Sequence, residues 1–388
     1  MQAGKQRIEW LDGWKGILCV LIFVHHFCLL FVPAIHYGEI APSYLWGVDT
    51  YLSQSPLSVV LNGNYMVALF CVISAVVISR SLMAKPDGKK LCAVVGKRYF
   101  RLMLPLFFVG LASFLFLRFG GFFNQQASEI TQSPWGIQYY KDPMSFGGFL
   151  GSVFWDTWFY GDSTLATSFW MLSDLFLGTF LCAGLSVLSW KIPKKAWIVY
   201  LGAAALFLFD SDLYLAFVLG TLIAWISVLK PRLLQKYAGL AALAVGVLLG
   251  GFPSGVTPTN FYKYIGFLDD EKWHILGAGL TVYGVFSCGI FQKLLSWKPF
   301  VFLGKISYSV YLLHIFILFS FTSALFLWIF PTMGYKLSVV VCFFVSAGVL
   351  LATSFLYQRY VESNLEKLQT AAWARLDSFI QRKRIQKK

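Results

Sequence analysis

Runs of about 20 apolar residues recur along this chain, and a run of that length is what a helix needs to cross the hydrocarbon of a bilayer. The 388-residue sequence contains ten of them, at 14–32, 60–82, 100–120, 167–190, 196–210, 213–229, 238–252, 272–291, 300–330 and 337–357. Only 13% of the residues are charged, whereas soluble domains carry about 25%. The sequence therefore predicts an all-α bundle of about ten transmembrane helices in the plasma membrane, with no room for a second folded soluble domain.

The distribution of positive charge predicts the orientation of this bundle, because Lys and Arg favour cytoplasmic loops. With the N-terminus inside, 25 of the 32 Lys and Arg residues fall in inner segments and five in outer ones. Both termini are then cytoplasmic. In a soluble protein a net charge of +14 would suggest nucleic-acid binding. Topology accounts for the charge here, so the expected partner is the lipid bilayer and no nucleic acid.

Two adjacent histidines, His25 and His26, interrupt the first apolar run. An imidazole in hydrocarbon is costly without a partner, so such a residue is a functional candidate. His26 suits a general base for a hydroxyl group, because imidazole titrates near neutral pH. The alternative is a packing histidine bonded to a neighbouring hydroxyl. His25 points about 100° away on the same helix and is interpreted as a packing or supporting residue.

Helix depth places two further polar residues near His26. His26 lies about 12 residues, or roughly 18 Å, into an outward-running helix, and His314 lies at about the same depth in another one. Asp174 lies about 7 residues into an inward-running helix, roughly 20 Å from the inner face of a core about 30 Å thick. The three side chains are therefore predicted to share one level, as a buried polar site requires. His274 is expected at an outer, wetted interface.

A basic cluster, GKRYFRLMLP at 96–105, opens the third run on its inner side. One interpretation is an anchor of the kind that any inner loop provides. The other is a phosphate clamp for a nucleotide-bearing donor, because Arg pairs bidentately with phosphate. Arg98 and Arg101 are three residues apart, so they are expected to share a helix face.

Three other regions are less specific. The seven cysteines show no CxxC spacing, so they are interpreted as small buried hydrophobic residues, and no metal site is expected. The outer loop 121–166 is rich in aromatic residues and glycine and fits either an interfacial or a re-entrant segment. The tail 362–388 fits either an amphipathic helix on the anionic inner leaflet or a solvated basic segment.

Taken together, these segments resemble acyltransferase family 3, whose members are multi-pass membrane enzymes that O-acylate extracytoplasmic glycans and other acceptors. The family opens with R-x-x-x-L-D-G-L-R-G, apolar residues and V-x-x-x-H-F. The chain matches this pattern at Arg7, Leu11, Asp12, Gly13, Gly16, His26 and Phe27. By this spacing His26, and not His25, is the family histidine. The most specific match is LGKISYSVYLLH, ending at His314, against L-G-x-I-S-Y-S-x-Y-L-x-H.

Other segments match in the same order along almost the whole chain. GNYMVALFCVISA contains Ser74 at the position of the serine in G-x-x-x-V-x-x-F-F-x-x-S-G. KRYFRLMLP resembles the family's inner R-R-x-x-R-L-x-P, and WMLSD, from Trp170, resembles W-x-L-x-x-E. Glu362 matches a terminal acidic residue of the family.

The chain also departs from the family pattern at four places, one of which is the proline usual after the terminal glutamate, where Ser363 and Asn364 follow Glu362. Lys15 stands at the arginine of the opening pattern, where it keeps the charge but lacks the bidentate fork of Arg. Ala75 replaces the glycine after the family serine. Leu175 stands where the family glutamate is expected, and Asp174 comes one residue early.

The resemblance implies an enzyme that takes an acyl group, by family default acetyl, from acyl-CoA at the cytoplasmic face. The acceptor would be a hydroxyl of an extracytoplasmic molecule such as a surface polysaccharide. His26 would be the catalytic base, with Asp174 orienting it and Lys15 nearby. The CoA phosphates would be held by Lys97, Arg98 and Arg101, and the further candidate site residues are Ser74, Trp170, Tyr311 and His314. Acyl-CoA is a substrate here, and no bound cofactor is expected.

The acyltransferase domain is predicted at 1–361 and the basic amphipathic tail at 362–388. The chain is therefore expected to be the stand-alone form, without the SGNH-type domain that other family members often carry. Two other functions stay open. Ten spans with polar groups near the midplane also suit a transporter, although no inverted repeat is evident. An inactive relative that binds acyl-CoA without turnover is the other alternative.

Overall fold

The fold was examined in a computed structural model that describes residues 8–83, 88–209 and 212–386. Within these ranges every regular element is helical, so an all-α membrane architecture is confirmed. The predicted match at Arg7 lies outside the described residues. The α-helices are α1 Glu9–Phe31, α2 Ala34–Tyr37, α3 Val48–Gln54, α4 Gly63–Met83, α5 Gly88–Phe119, α6 Asn124–Thr131, α7 Phe146–Gly151, α8 Thr157–Phe159, α9 Trp170–Lys191, α10 Ala196–Phe209, α11 Asp212–Leu229, α12 Lys236–Gly250, α13 Asp270–Ser287, α14 Gly289–Leu295, α15 Lys298–Ile317, α16 Ser323–Tyr357 and α17 Ser363–Gln386.

Five helical segments of the described chain are long and apolar enough to cross a membrane: Glu9–Phe31, Gly63–Met83, Val94–Phe119, Trp170–Lys191 and Lys298–Arg375. The bent pair α13 and α14 would make a sixth. Three shorter apolar helices follow the predicted runs, at Ala196–Leu208, Leu213–Leu229 and Lys236–Gly250. The count of about ten spans and the cytoplasmic placement of both termini stay predictions.

The two final predicted runs form a helical hairpin around Gly334. Gly334 has φ 68° inside α16, a conformation that glycine adopts without a steric penalty. Thr322 and Ser346, each twelve residues from Gly334, are joined by a hydrogen bond of 2.7 Å. The chain before and after Gly334 therefore runs antiparallel, with its turn between the predicted runs 300–330 and 337–357.

The predicted run 272–291 is broken rather than continuous. Helix α13 ends at Ser287, and α14 leaves it at an angle of 97°. The side-chain amide of Gln292 donates hydrogen bonds to the carbonyls of Val285 and Phe286. It thereby satisfies carbonyl groups that the end of α13 leaves without intrahelical partners.

Helices α1 and α15 touch through glycine, which fixes their register. A Cβ on Gly16 would lie 2.3 Å from the amide nitrogen of Gly304, and one on Gly304 would lie 2.1 Å from the carbonyl oxygen of Asp12. No side chain fits between backbones this close, and small residues are the usual means by which membrane helices approach. The same device recurs between α12 and α13, where Gly246 faces the carbonyl of Gly277.

The segment from 146 to 159 follows the course of a re-entrant piece, one of the two alternatives for the outer loop. Phe146 packs on Phe114, and further along the segment Trp158 packs on Tyr99. The segment thus runs antiparallel along α5, toward its N-terminal part. Trp158 is fully buried there.

The predicted tail continues the last hairpin helix and packs against α5. A π-helical turn, Gln358–Glu362, joins α16 to α17, so the helix has no break at the predicted domain boundary. Gln369 donates a hydrogen bond of 2.8 Å to the carbonyl of Lys97, and Trp373 covers Gly96. The association of this tail helix with the inner leaflet stays a prediction.

Candidate active site

The glycine contact between α1 and α15 brings His26 and His314 together. His26 follows Gly16 by ten residues, and His314 follows Gly304 by ten residues. The two helices run in the same direction from this contact. Residues that follow the contact by equal numbers therefore lie side by side again. The two imidazole ring centroids lie 5.0 Å apart. The predicted convergence of these two histidines is therefore observed.

The hydrogen bonds of the two rings define which nitrogen is available for chemistry. His26 Nδ1 lies 2.9 Å from the carbonyl oxygen of Ile22, and His314 Nδ1 lies 2.7 Å from that of Tyr311. A carbonyl only accepts, so Nδ1 carries the hydrogen in each ring, and in the neutral form Nε2 has a free lone pair. His314 Nε2 is buried without a hydrogen-bond partner. Each ring thus presents an unprotonated Nε2.

His26 opens onto a partly open cavity of about 390 Å³, a volume that includes the solvent at its mouth. Its walls come from α1, the start of α4, the segment before α9, the first turn of α9, and α15. The lining residues are Ile22, His25, His26, Gly63, Asn64, Val67, Ser168, Trp170, Met171 and Tyr311. The Tyr311 hydroxyl donates a hydrogen bond to the carbonyl of Ser168, which ties α15 to the segment before α9. Three predicted site residues, His26, Trp170 and Tyr311, therefore share one cavity.

His25 also lines this cavity and lies at the centre of a row of imidazoles. Its Nδ1 is 2.8 Å from the carbonyl of Leu61, and a Cβ on Gly63 would lie 2.4 Å from its Cδ2. Its ring centroid is 5.2 Å from that of His26 and 5.6 Å from that of His36. His36 lies outside the spanning helices, where burial and the nearby His274 lower its pKa to about 4. His25 therefore lies beside His26 and packs against α4. These are the surroundings of a packing or supporting residue, as expected from the sequence.

Trp135 covers His26 on the side of the outer loop and was not among the predicted site residues. The two ring centroids are 5.3 Å apart at 38°. The Ser133 hydroxyl donates to the carbonyl of Leu29 near the end of α1, which anchors the turn that carries Trp135. An aromatic-rich loop was the only signal, and it did not distinguish Trp135 from its neighbours.

Three predicted site residues lie away from the cavity. The ammonium of Lys15 is 2.7 Å from Asp12 Oδ1, eleven residues and about 16 Å of helix before His26. Ser74 lies eleven residues beyond Gly63 on α4, again about 16 Å along the helix. Asp174 lies one turn beyond Trp170 on α9 and is not a lining residue. Asp174 therefore does not line the cavity with His26, and its role in orienting His26 stays a prediction.

The three residues of the basic cluster occupy different surroundings. Arg98 Nε donates a hydrogen bond of 3.2 Å to the carbonyl of Leu175, within the bundle. Lys97 lies 5.5 Å from the ring centroid of Trp373 on the tail helix. Arg101 lines a second, small cavity that is partly open to solvent, together with Glu362 and Glu366. Arg98 and Arg101 lie three residues apart on the continuous helix α5, and their binding of CoA phosphates stays a prediction.

The position expected for His274 is wrong. This residue is fully buried rather than wetted. Its Nε2 lies 2.9 Å from both the Asn62 side-chain nitrogen and the carbonyl oxygen of Phe252. The chain around Phe252 covers the start of α13 and removes it from water. Among the described residues, no group of three His, Cys, Asp or Glu side chains is arranged to hold a metal ion.

The architecture and the site define a helical membrane protein in which His25 and His26 face a cavity between the helices. The profile of acyltransferase family 3, described as an acyltransferase domain, matches residues 8–357, and the chain belongs to this family. Over 103 residues it is 30% identical to acyltransferase clz18 of Cochliobolus lunatus, a match of 25% of this chain and 22% of that protein. No solved structure matches the chain. The family resemblance is confirmed.

Proposed function

We propose that this enzyme transfers an acyl group, by preference acetyl, from cytoplasmic acyl-CoA to a hydroxyl of an extracytoplasmic acceptor such as a surface polysaccharide. The observation that carries the proposal is His26, whose Nδ1 is occupied by the carbonyl of Ile22 while its ring lines an internal cavity. A neutral imidazole held in this tautomer is a general base within reach of a bound hydroxyl.

In the direct form of the reaction, His26 Nε2 removes the proton of the acceptor hydroxyl as its oxygen attacks the thioester carbonyl. The new C–O bond forms, the C–S bond breaks, and CoA leaves as the thiolate. The proton on His26 then passes to the thiolate, so no proton is gained or lost overall. His25, Trp170 and Tyr311 form walls of the cavity in which the acceptor and the thioester would meet.

The donor would enter from the side of the second cavity. Arg101 and Glu362 line that cavity, and the Ser309 hydroxyl donates a hydrogen bond of 2.9 Å to Glu362. Ser309 precedes His314 by five residues of α15, or roughly 8 Å. The two cavities therefore flank one short stretch of α15. Arg101 and Lys97 are positively charged residues on this side, and we assign them to the binding of the CoA phosphates.

The test is acyl transfer by purified protein in proteoliposomes, with labelled acetyl-CoA outside and a surface glycan as acceptor. His26→Gln removes the base while it keeps a polar side chain of similar length. A general base contributes about 10² to 10⁴ in rate, so the variant should lose at least about 100-fold. His36→Gln is the matched control, because His36 does not line the cavity and should leave the rate within a few-fold.

Three outcomes would contradict the proposal. A folded His26→Gln variant with the wild-type rate would exclude this base. Ion-driven uptake into vesicles without any need for acyl-CoA would indicate a transporter. Binding of acyl-CoA by the wild-type protein, without turnover of any hydroxyl acceptor, would indicate an inactive relative.

A further inference from the structure

The proposed base has no carboxylate partner among the described residues that face it. From its own helix His26 faces His25, with His36 of α2 beyond it, and from α15 it faces His314. Tyr311 is the other titratable group that lines the cavity, whereas α4 and α9 contribute Gly63, Asn64, Val67, Trp170 and Met171. Each time His26 takes a proton it becomes a cation in a poorly solvated site, which is costly without compensation. The carbonyl of Ile22 is one compensating group.

Trp135 is placed to be the second compensating group. Its ring centroid lies 5.3 Å from that of His26, inside the range of about 6 Å over which an aromatic face attracts a cation. Trp is the most effective of the aromatic side chains in this interaction. The attraction grows as the contact is removed from water, and both His26 and Trp135 are partly buried.

Several bonds keep Trp135 on His26. The Ser133 hydroxyl donates to the carbonyl of Leu29 at 2.6 Å and accepts from the amide of Gly136 at 3.0 Å. Asn124 of α6 donates to the carbonyl of Gly136 at 2.8 Å. A Cβ on Gly136 would lie 2.4 Å from Leu30, so the turn rests directly on α1. These contacts therefore fix the position of the Trp135 indole.

We propose that Trp135 is a positioning residue that stabilises the protonated form of His26 during turnover. The inference rests on the proposed function, because it assumes that His26 takes up the proton of the acceptor hydroxyl. Trp135 itself touches no reacting atom. In this arrangement a carbonyl on Nδ1 and an indole beside the ring do the work that a carboxylate does in an Asp–His pair.

Loss of the indole changes the pH dependence in a defined direction. Without it the imidazolium is less stable, so free His26 persists to lower pH and the acid limb of the pH–rate profile moves to lower pH. His26 is then also a weaker base, so the plateau rate falls. A buried cation–π contact corresponds to about tenfold in rate and about one unit of pH.

The experiment measures acetyl transfer by the full-length protein in proteoliposomes from about pH 5 to pH 9, the range in which histidines titrate. Trp135→Leu removes the aromatic face, and Trp135→Phe retains one. Tyr139→Leu is the matched control, because Tyr139 belongs to the same loop and packs on Trp135 and Phe319. We expect a fall of about tenfold and a displaced acid limb for Trp135→Leu, most of the rate for Trp135→Phe, and an unmoved acid limb for Tyr139→Leu.

The outcomes separate this inference from the proposed function. If His26→Gln abolishes transfer while Trp135→Leu keeps the wild-type profile, the inference alone fails. If His26→Gln stays active, the proposed function fails. A higher KM for the acceptor in Trp135→Leu, with kcat and the acid limb unchanged, would make Trp135 an acceptor contact and overturn the inference. Equal losses for the Leu and Phe variants, with lowered thermal stability, would also overturn it.

Discussion

Gly304→Ala tests whether the contact between α1 and α15 holds the two histidines at their working distance. The added methyl would lie 2.1 Å from the carbonyl oxygen of Asp12, whereas ordinary contact begins at 3.4 Å. The obstacle is backbone, which has no rotamer to change. The helices must therefore separate by about 1.3 Å at this level.

The structure sets the size of the effect. If α1 and α15 move apart as rigid bodies, the spacing of 5.0 Å between the rings of His26 and His314 grows to roughly 6 Å. A misplacement of about 1 Å at a catalytic group costs up to about 100-fold in rate. Overpacking of a close contact costs about 1–3 kcal/mol in the free energy of unfolding.

The matched control is Gly348→Ala on α16, where an added Cβ meets no atom within 4 Å. There alanine should be neutral or stabilising by up to about 1 kcal/mol, because it favours the helix over glycine. The assay compares initial rates of acetyl transfer per folded molecule and thermal unfolding in detergent. If Gly304→Ala matches Gly348→Ala in both, the helix contact does not set the geometry of the site.

Two further predictions concern the outer part of the bundle. Asn62→Leu removes the side-chain amide that donates to the carbonyl of Phe252 and whose nitrogen lies 2.9 Å from Nε2 of His274, so the free energy of unfolding in detergent should fall by about 1–3 kcal/mol; an unchanged stability would contradict this. For Asp49, burial by itself raises the carboxyl pKa, but bonds from the Ser43 hydroxyl and the backbone amides of Tyr44, Leu45 and Thr50 hold it below its ordinary value. Asp49→Asn should therefore be less stable than wild type above about pH 4, with the difference shrinking as the pH falls below that value; a constant difference would count against the charge.

The meeting of His26 and His314 could be predicted from the sequence because it depends only on counting along two helices. Each histidine lies at a similar distance from the inner end of an apolar run, and each follows its contact glycine by ten residues. The contact itself, at Gly16 and Gly304, needs no information from loops. Residue depth within a straight helix is therefore a reliable guide when both helices run in the same direction.

Asp174 could not be placed in the same way, because α9 does not begin where its apolar run begins. The run starts at 167, but Trp170, the first residue of α9, already lines the cavity of His26. Asp174 is one turn farther along the helix. The preceding segment runs into the bundle along α5, and a hydropathy pattern does not predict such a course. Trp135 and the burial of His274 were not predicted for the same reason. A loop carries Trp135 and another loop covers His274, and both loops pack against residues that are distant in sequence.

The structure also shows which part of the molecule each departure from the family pattern can affect. Lys15 pairs with Asp12 at one end of α1, about 16 Å from His26, so its replacement of an arginine acts on that end of the bundle and not on proton transfer. Leu175 stands at the position of the family glutamate, and its carbonyl accepts a hydrogen bond from Arg98. The side chain that would have supplied a carboxylate is therefore apolar, and a backbone oxygen receives the guanidinium instead. Among the described residues that line the cavity there is no carboxylate either, so under the proposed mechanism the carbonyl of Ile22 and the indole of Trp135 would stabilise a protonated His26.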